Sequence, residues 1–276
     1  MPALTNPLPN LHSWAKFFDQ AEIPVLRSTA TAIATMAQNE DAVSAQELGQ
    51  IVVCDPLMTL KLFRRVAELR TRRQVTDVET VTSCIVMLGI GPFFSSFKNL
   101  TTVNDLFAGD PDRHHNQLRM LGVLKRIQRA ADWSYEWAVR RHDLDLEVIR
   151  TATLLHDFTE LLLWCFAPHL AQQIEHKLRE MPGMRSVDAQ KEVLNIELNT
   201  LQHELMGRWK LPELLVRITD EHAKPDPKMH NVSLAIAMAR HSANGWDNPA
   251  LPDDFAALGT LLNLPVARAQ AIAMGH

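Results

Sequence analysis

Helix-start signals recur throughout this chain, while no run alternates apolar and polar residues for long enough to force a strand. "SAQELGQIVV" carries a capping box, in which Ser44 and Glu47 each satisfy a backbone donor of the helix start. "TDVETVTSCIVMLG" repeats the pattern with Thr76 and Glu79 and stops at Gly89, a residue suited to a left-handed cap. In "STATAIATMAQ" Ser28 is the expected N-cap, and in "CDPLMTLKLFRRV" Pro56 sits at a helix start, where its missing N–H costs nothing. Past the turn-rich "FAGDPDRHHN", one long helix is expected from Asn116 to Arg141, with Gly122 tolerated inside it. A helix over 145–166 capped by Asp145 follows, then one over 168–181 opened by Pro168. Shorter helical segments continue to the C-terminus, the last two beginning at "LPDD" and "LPVA". The fold class is therefore all-α, a multi-helix bundle with an N-terminal helical lobe over 1–110 and a second helical lobe over 111–276.

The chain can bury a sizeable core: of its 276 residues 46% are hydrophobic and 22% charged, proportions that exclude extended disorder. No apolar run reaches the roughly 18 residues of a membrane span, and "MPALTNPLPNLHSW" has no basic segment followed by an apolar one, so a cytoplasmic protein is expected. Cys54, Cys84 and Cys165 are odd in number and far apart, giving neither a disulfide framework nor a metal knuckle, and all three read as buried thiols. A net charge of −4 offers no general attraction to nucleic acid. Two basic clusters, Arg64, Arg65, Arg70, Arg72 and Arg73, then Arg119, Lys125, Arg126 and Arg129, read first as solvated helix faces and second as a nucleic-acid adaptor surface.

The one constellation that raises a question of chemistry is the His156–Asp157 doublet in "TATLLHDFTELLLW". On a single helix, Arg150, Thr153, Asp157, Glu160 and Trp164 make one stripe, while Leu154, Leu155, Phe158, Leu161, Leu162 and Cys165 make another. Asp157 then belongs to a polar face, and His156 lies at the seam as a packed histidine with a satisfied ring nitrogen. The competing reading is a metal site. Neighbouring helical side chains diverge by about 100°, so both could reach one ion only across the edge between them. Glu160, one turn on, and His222 are the candidate further ligands, and iron, manganese or zinc the candidate ions. Elsewhere, His114 and His115 read as a solvated loop, and His203 and Glu204 lack the second histidine of a zincin pair. His241 sits at a helix end that favours a cation, and Trp209 in "GRWKLPE" reads as a packing device. No phosphate-binding loop, dinucleotide fingerprint or nucleophile elbow is present.

The order of four segments, "IPVLRSTATAIATMAQNEDAVSAQELGQIVVCDPLMTLKLFRRV", "TDVETVTSCIVMLGIGPFF", "LLHDFTELLLW" and "LMGRWKLPELLVRITDEH", resembles the HDOD domain, a helical output domain related to the metal-dependent HD phosphohydrolases. The likeness runs from about residue 15 to about 260, and its most specific parts are the "IPVL" opening, the "DP-L" helix, the "IVMLG" helix and "RW-LPE". It implies that an active relative would hold metal through an early His, the His-Asp doublet and a late Asp, with the metal activating water against a phosphoester. Here the early position is Trp133, before Ser134. The doublet remains as His156 and Asp157, but the Gly-Lys that follows in active relatives is Thr159 and Glu160, so a helper cation has become an anion. Leu198 and Ile236 stand where a further His and the final Asp would fall, and Glu221 precedes His222 where relatives often carry a second His. The resemblance therefore implies a non-catalytic bacterial signal-transduction output module, with no catalytic residue and no required cofactor. It would act by binding signalling proteins or a small ligand, with a groove between lobes as the expected place. A phosphohydrolase with a rearranged HD site, using His156, Asp157, Glu160 and His222, is the alternative.

Overall fold

The computed structural model describes residues 3–69, 78–212, 215–217, 220, 224 and 226–275. Among them the structure is helical, and the one β-type feature is an isolated parallel bridge between Val25 and Thr102. No described helix is long and apolar enough to cross a membrane. In chain order the helices are α1 (Leu11–Gln20), α2 (Arg27–Met36), a 3-10 turn (Ala37–Ala42), α3 (Ala45–Val52), α4 (Pro56–Leu69), α5 (Val81–Leu88), α6 (Ile90–Ser96) and α7 (Val103–Leu106). Then come α8 (Arg113–Arg140), α9 (Leu146–Leu155), α10 (Phe158–Phe166), α11 (Pro168–Glu180), α12 (Ser186–Leu194) and α13 (Leu198–Arg208). Past Leu211 lie α14 (Pro227–His241), α15 (Leu251–Leu262) and α16 (Val266–Met274).

These helices form two compact units, Met1–Val123 with Asp157–Leu211, and Leu124–His156 with Pro212–His276. The units are interleaved in sequence, whereas the sequence reading set one lobe after another at residue 110. The chain passes from the first unit to the second inside α8, where no turn signal exists to be read.

In the first unit, α1 inserts Trp14 and Phe18 into the core, with the Trp14 indole donating to the Leu194 carbonyl at 2.9 Å. Phe17 and Phe18 meet Phe166 of α10 edge-on, both with ring centroids 6.0 Å away. Asp55 ties α2 to α4. Its carboxylate accepts the Leu26 N–H at 2.8 Å and, as the N-cap of α4, the Leu57 and Met58 N–H groups at 3.0 and 3.2 Å. In the second unit, α14 packs against α9 and α15, and the Asn231 side chain donates to the Ser134 carbonyl of α8 at 3.0 Å.

Several local expectations hold. Ser44 and Glu47 form the capping box of α3, Pro56 and Pro168 open α4 and α11, and the 28-residue α8 contains Gly122. Others are corrected. Ser28 lies inside α2, whose N-cap is Leu26, because the Asp55 carboxylate has taken over the capping role. α5 is capped by Thr80, whose hydroxyl accepts the Ser83 N–H, and Thr76 falls outside the described residues. Gly89 does adopt a positive φ of 85°, but with ψ 150° it is extended and joins α5 directly to α6. His114 and His115 are exposed on the first turn of α8 rather than in a loop. Cys54 is exposed, since it follows the end of α3, while Cys84 and Cys165 are buried.

Candidate functional site

The helix expected over 145–166 breaks at the doublet itself. α9 ends with His156 as its C-cap, and α10 begins with Asp157 as its N-cap, at φ −111° and ψ 24°. The single polar stripe drawn across 150–164 therefore does not exist as one face. Thr153 and Trp164, assigned to it, are 1% and 2% exposed. The cause is local satisfaction of hydroxyls: Thr153 donates to the Ile149 carbonyl and Thr151 to the Glu147 carbonyl, so both threonines enter the core without an orphaned donor. Asp145 does not cap α9 with its side chain. Its carboxylate instead forms an ion pair with Lys228, which raises the lysine pKa chiefly through that hydrogen bond.

His156, Asp157 and Glu160 are each half-buried. Asp157 and Glu160 share the first turn of α10, where the Asp157 carbonyl accepts the Glu160 N–H at 3.0 Å. The division of the chain into units falls between His156 and Asp157, and His222 lies outside the described residues, as does Glu221. Among the described residues no group of three His, Cys, Asp or Glu side chains is disposed to hold a metal ion.

The positions read as replaced ligands are packed. Leu198 is 7% exposed, and its carbonyl accepts the Thr159 hydroxyl at 3.3 Å. Ile236 is buried on α14. Trp133, 8% exposed, stacks on Trp137 one turn later on α8, with ring centroids 6.0 Å apart and planes 10° from parallel. Trp246 approaches Trp133 with its ring centroid 6.2 Å away and its plane inclined by 51°, and itself stacks on Phe255 of α15. The Arg129 guanidinium lies over both indoles, 4.6 Å from the Trp133 centroid and 4.9 Å from that of Trp246. This aromatic assembly left no motif in the sequence. Only the i, i+4, i+8 spacing of Arg129, Trp133 and Trp137 could have found the half that lies on α8.

In the first unit, Trp209 of "GRWKLPE" is buried and packs on Phe158, as the packing reading requires, but it also forms part of a polar network. Its indole donates to Asp19 Oδ1 and Arg208 Nη1 to Asp19 Oδ2, each at 3.0 Å, while Arg208 Nε pairs with Glu204 at 2.7 Å. Arg64 lies 5.1 Å from the Trp209 ring centroid and donates to the Asp19 carbonyl at 2.7 Å. The basic clusters thus do not form uniform surfaces. Arg65 pairs with Glu68 and Arg119 with Glu175, and Arg70, Arg72 and Arg73 lie outside the described residues.

Comparison with known proteins follows the same outline. No curated protein matches the chain. Among solved structures, the MmoQ response regulator from Methylococcus capsulatus superposes with a TM-score of 0.64 at 19% identity, over 91% of this chain and 98% of that one. A virulence factor from Campylobacter jejuni also gives 0.64, at 16% identity, over 97% of this chain and 92% of its own. At these identities the likeness is one of fold. The HDOD family model matches residues 23–225, which contain the Asp55-capped helix, the doublet and Trp209; the chain belongs to the HDOD domain family.

Proposed function

We propose that this protein is a non-catalytic bacterial signalling module of the cytoplasm, which transmits by binding a partner protein or a small ligand. The observation that carries the reading is Trp133. At the position of the early metal-ligating histidine of active HD relatives stands an indole that offers an ion no lone pair, held against Trp137, Trp246 and Arg129. Leu198 and Ile236, buried at two further ligand positions, likewise carry no donor atoms. A catalytic metal needs about three protein ligands and an open place for water. Glu160 in place of the cation that follows the doublet removes a group suited to a phosphoester's charge. Membership of a family of output domains and the fold shared with a response regulator support the signalling role.

The test is turnover of p-nitrophenyl phosphate and bis-p-nitrophenyl phosphate with manganese, iron or zinc added, set beside elemental analysis of untagged protein. The expected result is no metal-dependent turnover above buffer and no metal retained through the doublet. Turnover that disappears in the His156→Ala, Asp157→Ala double variant would establish the phosphohydrolase alternative instead.

A further inference from the structure

The Arg129 side chain is held like a binding group, against two indoles. The Trp133 and Trp246 indole centroids lie 4.6 and 4.9 Å from its guanidinium, and its single hydrogen bond among the described residues is a long one, 3.5 Å from Nη1 to the Ser242 carbonyl. It makes no ion pair among the described residues, although Asp132, three residues on, pairs with Arg150. A guanidinium has five N–H donors in a rigid fork, so most of this one's donors lack an acceptor among the described residues. Burial without compensation pushes the Arg129 pKa down, though the group stays charged. Lys125, four residues earlier, lies on the same face of α8, is exposed, and also has no ion pair among the described residues.

We propose that Arg129, braced by Trp133 and Trp246 and joined by Lys125, is an oxyanion site that takes a phosphate monoester. The fork supplies two parallel N–H donors to two phosphate oxygens, and the indoles fix the fork's plane, so little side-chain freedom is lost on binding. A carboxylate would also fit the fork, but it carries one charge. Two cations a helical turn apart, with no ion pair among the described residues, suit a group with a charge near −2 at neutral pH. This names a ligand class for the binding role proposed above and rests on that reading. The place of a metal ligand would be taken by an indole that supports a guanidinium, and phosphate would be held without being activated.

Calorimetric titration of the whole protein at constant ionic strength, with inorganic phosphate, phenyl phosphate and acetate as probes, tests the site. Saturable binding of both phosphates is expected, at least about tenfold tighter than acetate, and perturbing Trp133 and Trp246 emission. Arg129→Lys, which keeps the charge and loses the fork, should weaken phosphate about tenfold or more. Lys125→Ala is at an exposed position and leaves the core intact, so it serves if the Arg129 variant does not fold; it should weaken phosphate about threefold and acetate less. Equal weak binding of phosphate and acetate, or wild-type phosphate affinity in either variant when folded, would overturn the proposal. Failure here with no turnover in the phosphoester assay leaves the non-catalytic reading standing. Turnover dependent on His156 and Asp157 removes that reading whatever Arg129 binds.

Discussion

Asp55 is fully buried, and four donors converge on it: the Leu26, Leu57 and Met58 amides and the Thr29 hydroxyl. Removing an acceptor strands buried donors at about 1–3 kcal/mol each, so Asp55→Ala should cost about 3 kcal/mol or more, seen as a lower urea midpoint. The charge is nevertheless a burden there, since burial raises the Asp55 pKa against the lowering effect of its hydrogen bonds. A raised carboxyl pKa means that the contribution is fully present below the ordinary aspartate range and is lost as pH rises through the folded value. Asp55→Asn has no such titration, so its penalty relative to wild type should shrink as pH rises. A penalty that grows with pH would show that the hydrogen bonds outweigh burial. The sequence signal for this residue is an Asp directly before a Pro at a helix start. No local signal could show that the same carboxylate also reaches Leu26, because that contact spans 29 residues.

At the scale of helices, boundaries set by neighbouring side chains and backbone were legible, and boundaries set by packing were not. Ser44 and Glu47 or Pro168 act within one turn of themselves, so sequence spacing suffices to place α3 and α11. The break between α9 and α10 has no proline or glycine, and the apolar run through it suits a continuous helix equally well. Threonine burial misled the stripe reading for the same reason, since a hydroxyl bonded to a carbonyl four residues back counts as apolar in the core. The join of α15 to α16 offers a quantitative test of such packing. Asn263 turns left-handed at φ 54°, the Leu264 N–H returns to the Gly259 carbonyl at 2.8 Å, and a Cβ on Gly259 would stand 2.9 Å from the Leu264 oxygen. Alanine normally gains about 1 kcal/mol over glycine inside a helix. Here the backbone oxygen cannot swing away as a side chain would, and overpacking costs about 1–3 kcal/mol. Gly259→Ala should therefore lower the melting temperature, whereas Gly122→Ala, with open space around its Cβ in α8, should raise it.

Across the whole molecule, the family match begins at residue 23 and ends at 225, yet the packing extends past both limits. α1 lies before it and gives the first unit Trp14, Phe18 and the Asp19 carboxylate that receives Trp209 and Arg208, a contact spanning 190 residues to the indole. α14, α15 and α16 lie after it: α14 packs on α9 and α15, α15 packs on α16, and Trp246, between α14 and α15, stacks on Phe255 of α15 in the aromatic assembly. Conserving a segment order along the chain reveals the family but not these dependencies, because each joins elements distant in sequence. A chain trimmed to residues 23–225 would expose the faces that Trp14, Phe18, Val232, Leu234 and Leu258 now cover, and fully burying such a side chain stabilises by about 1.5–3 kcal/mol. Over these five side chains that is about 7.5–15 kcal/mol, comparable to the roughly 5–15 kcal/mol of net stability of an ordinary domain. The trimmed chain should bind a hydrophobic dye and melt without a cooperative transition, whereas the full chain melts sharply. A cooperative melt of the trimmed chain near the full-length temperature would mean that α1 and α14–α16 are appended to the core, not part of it.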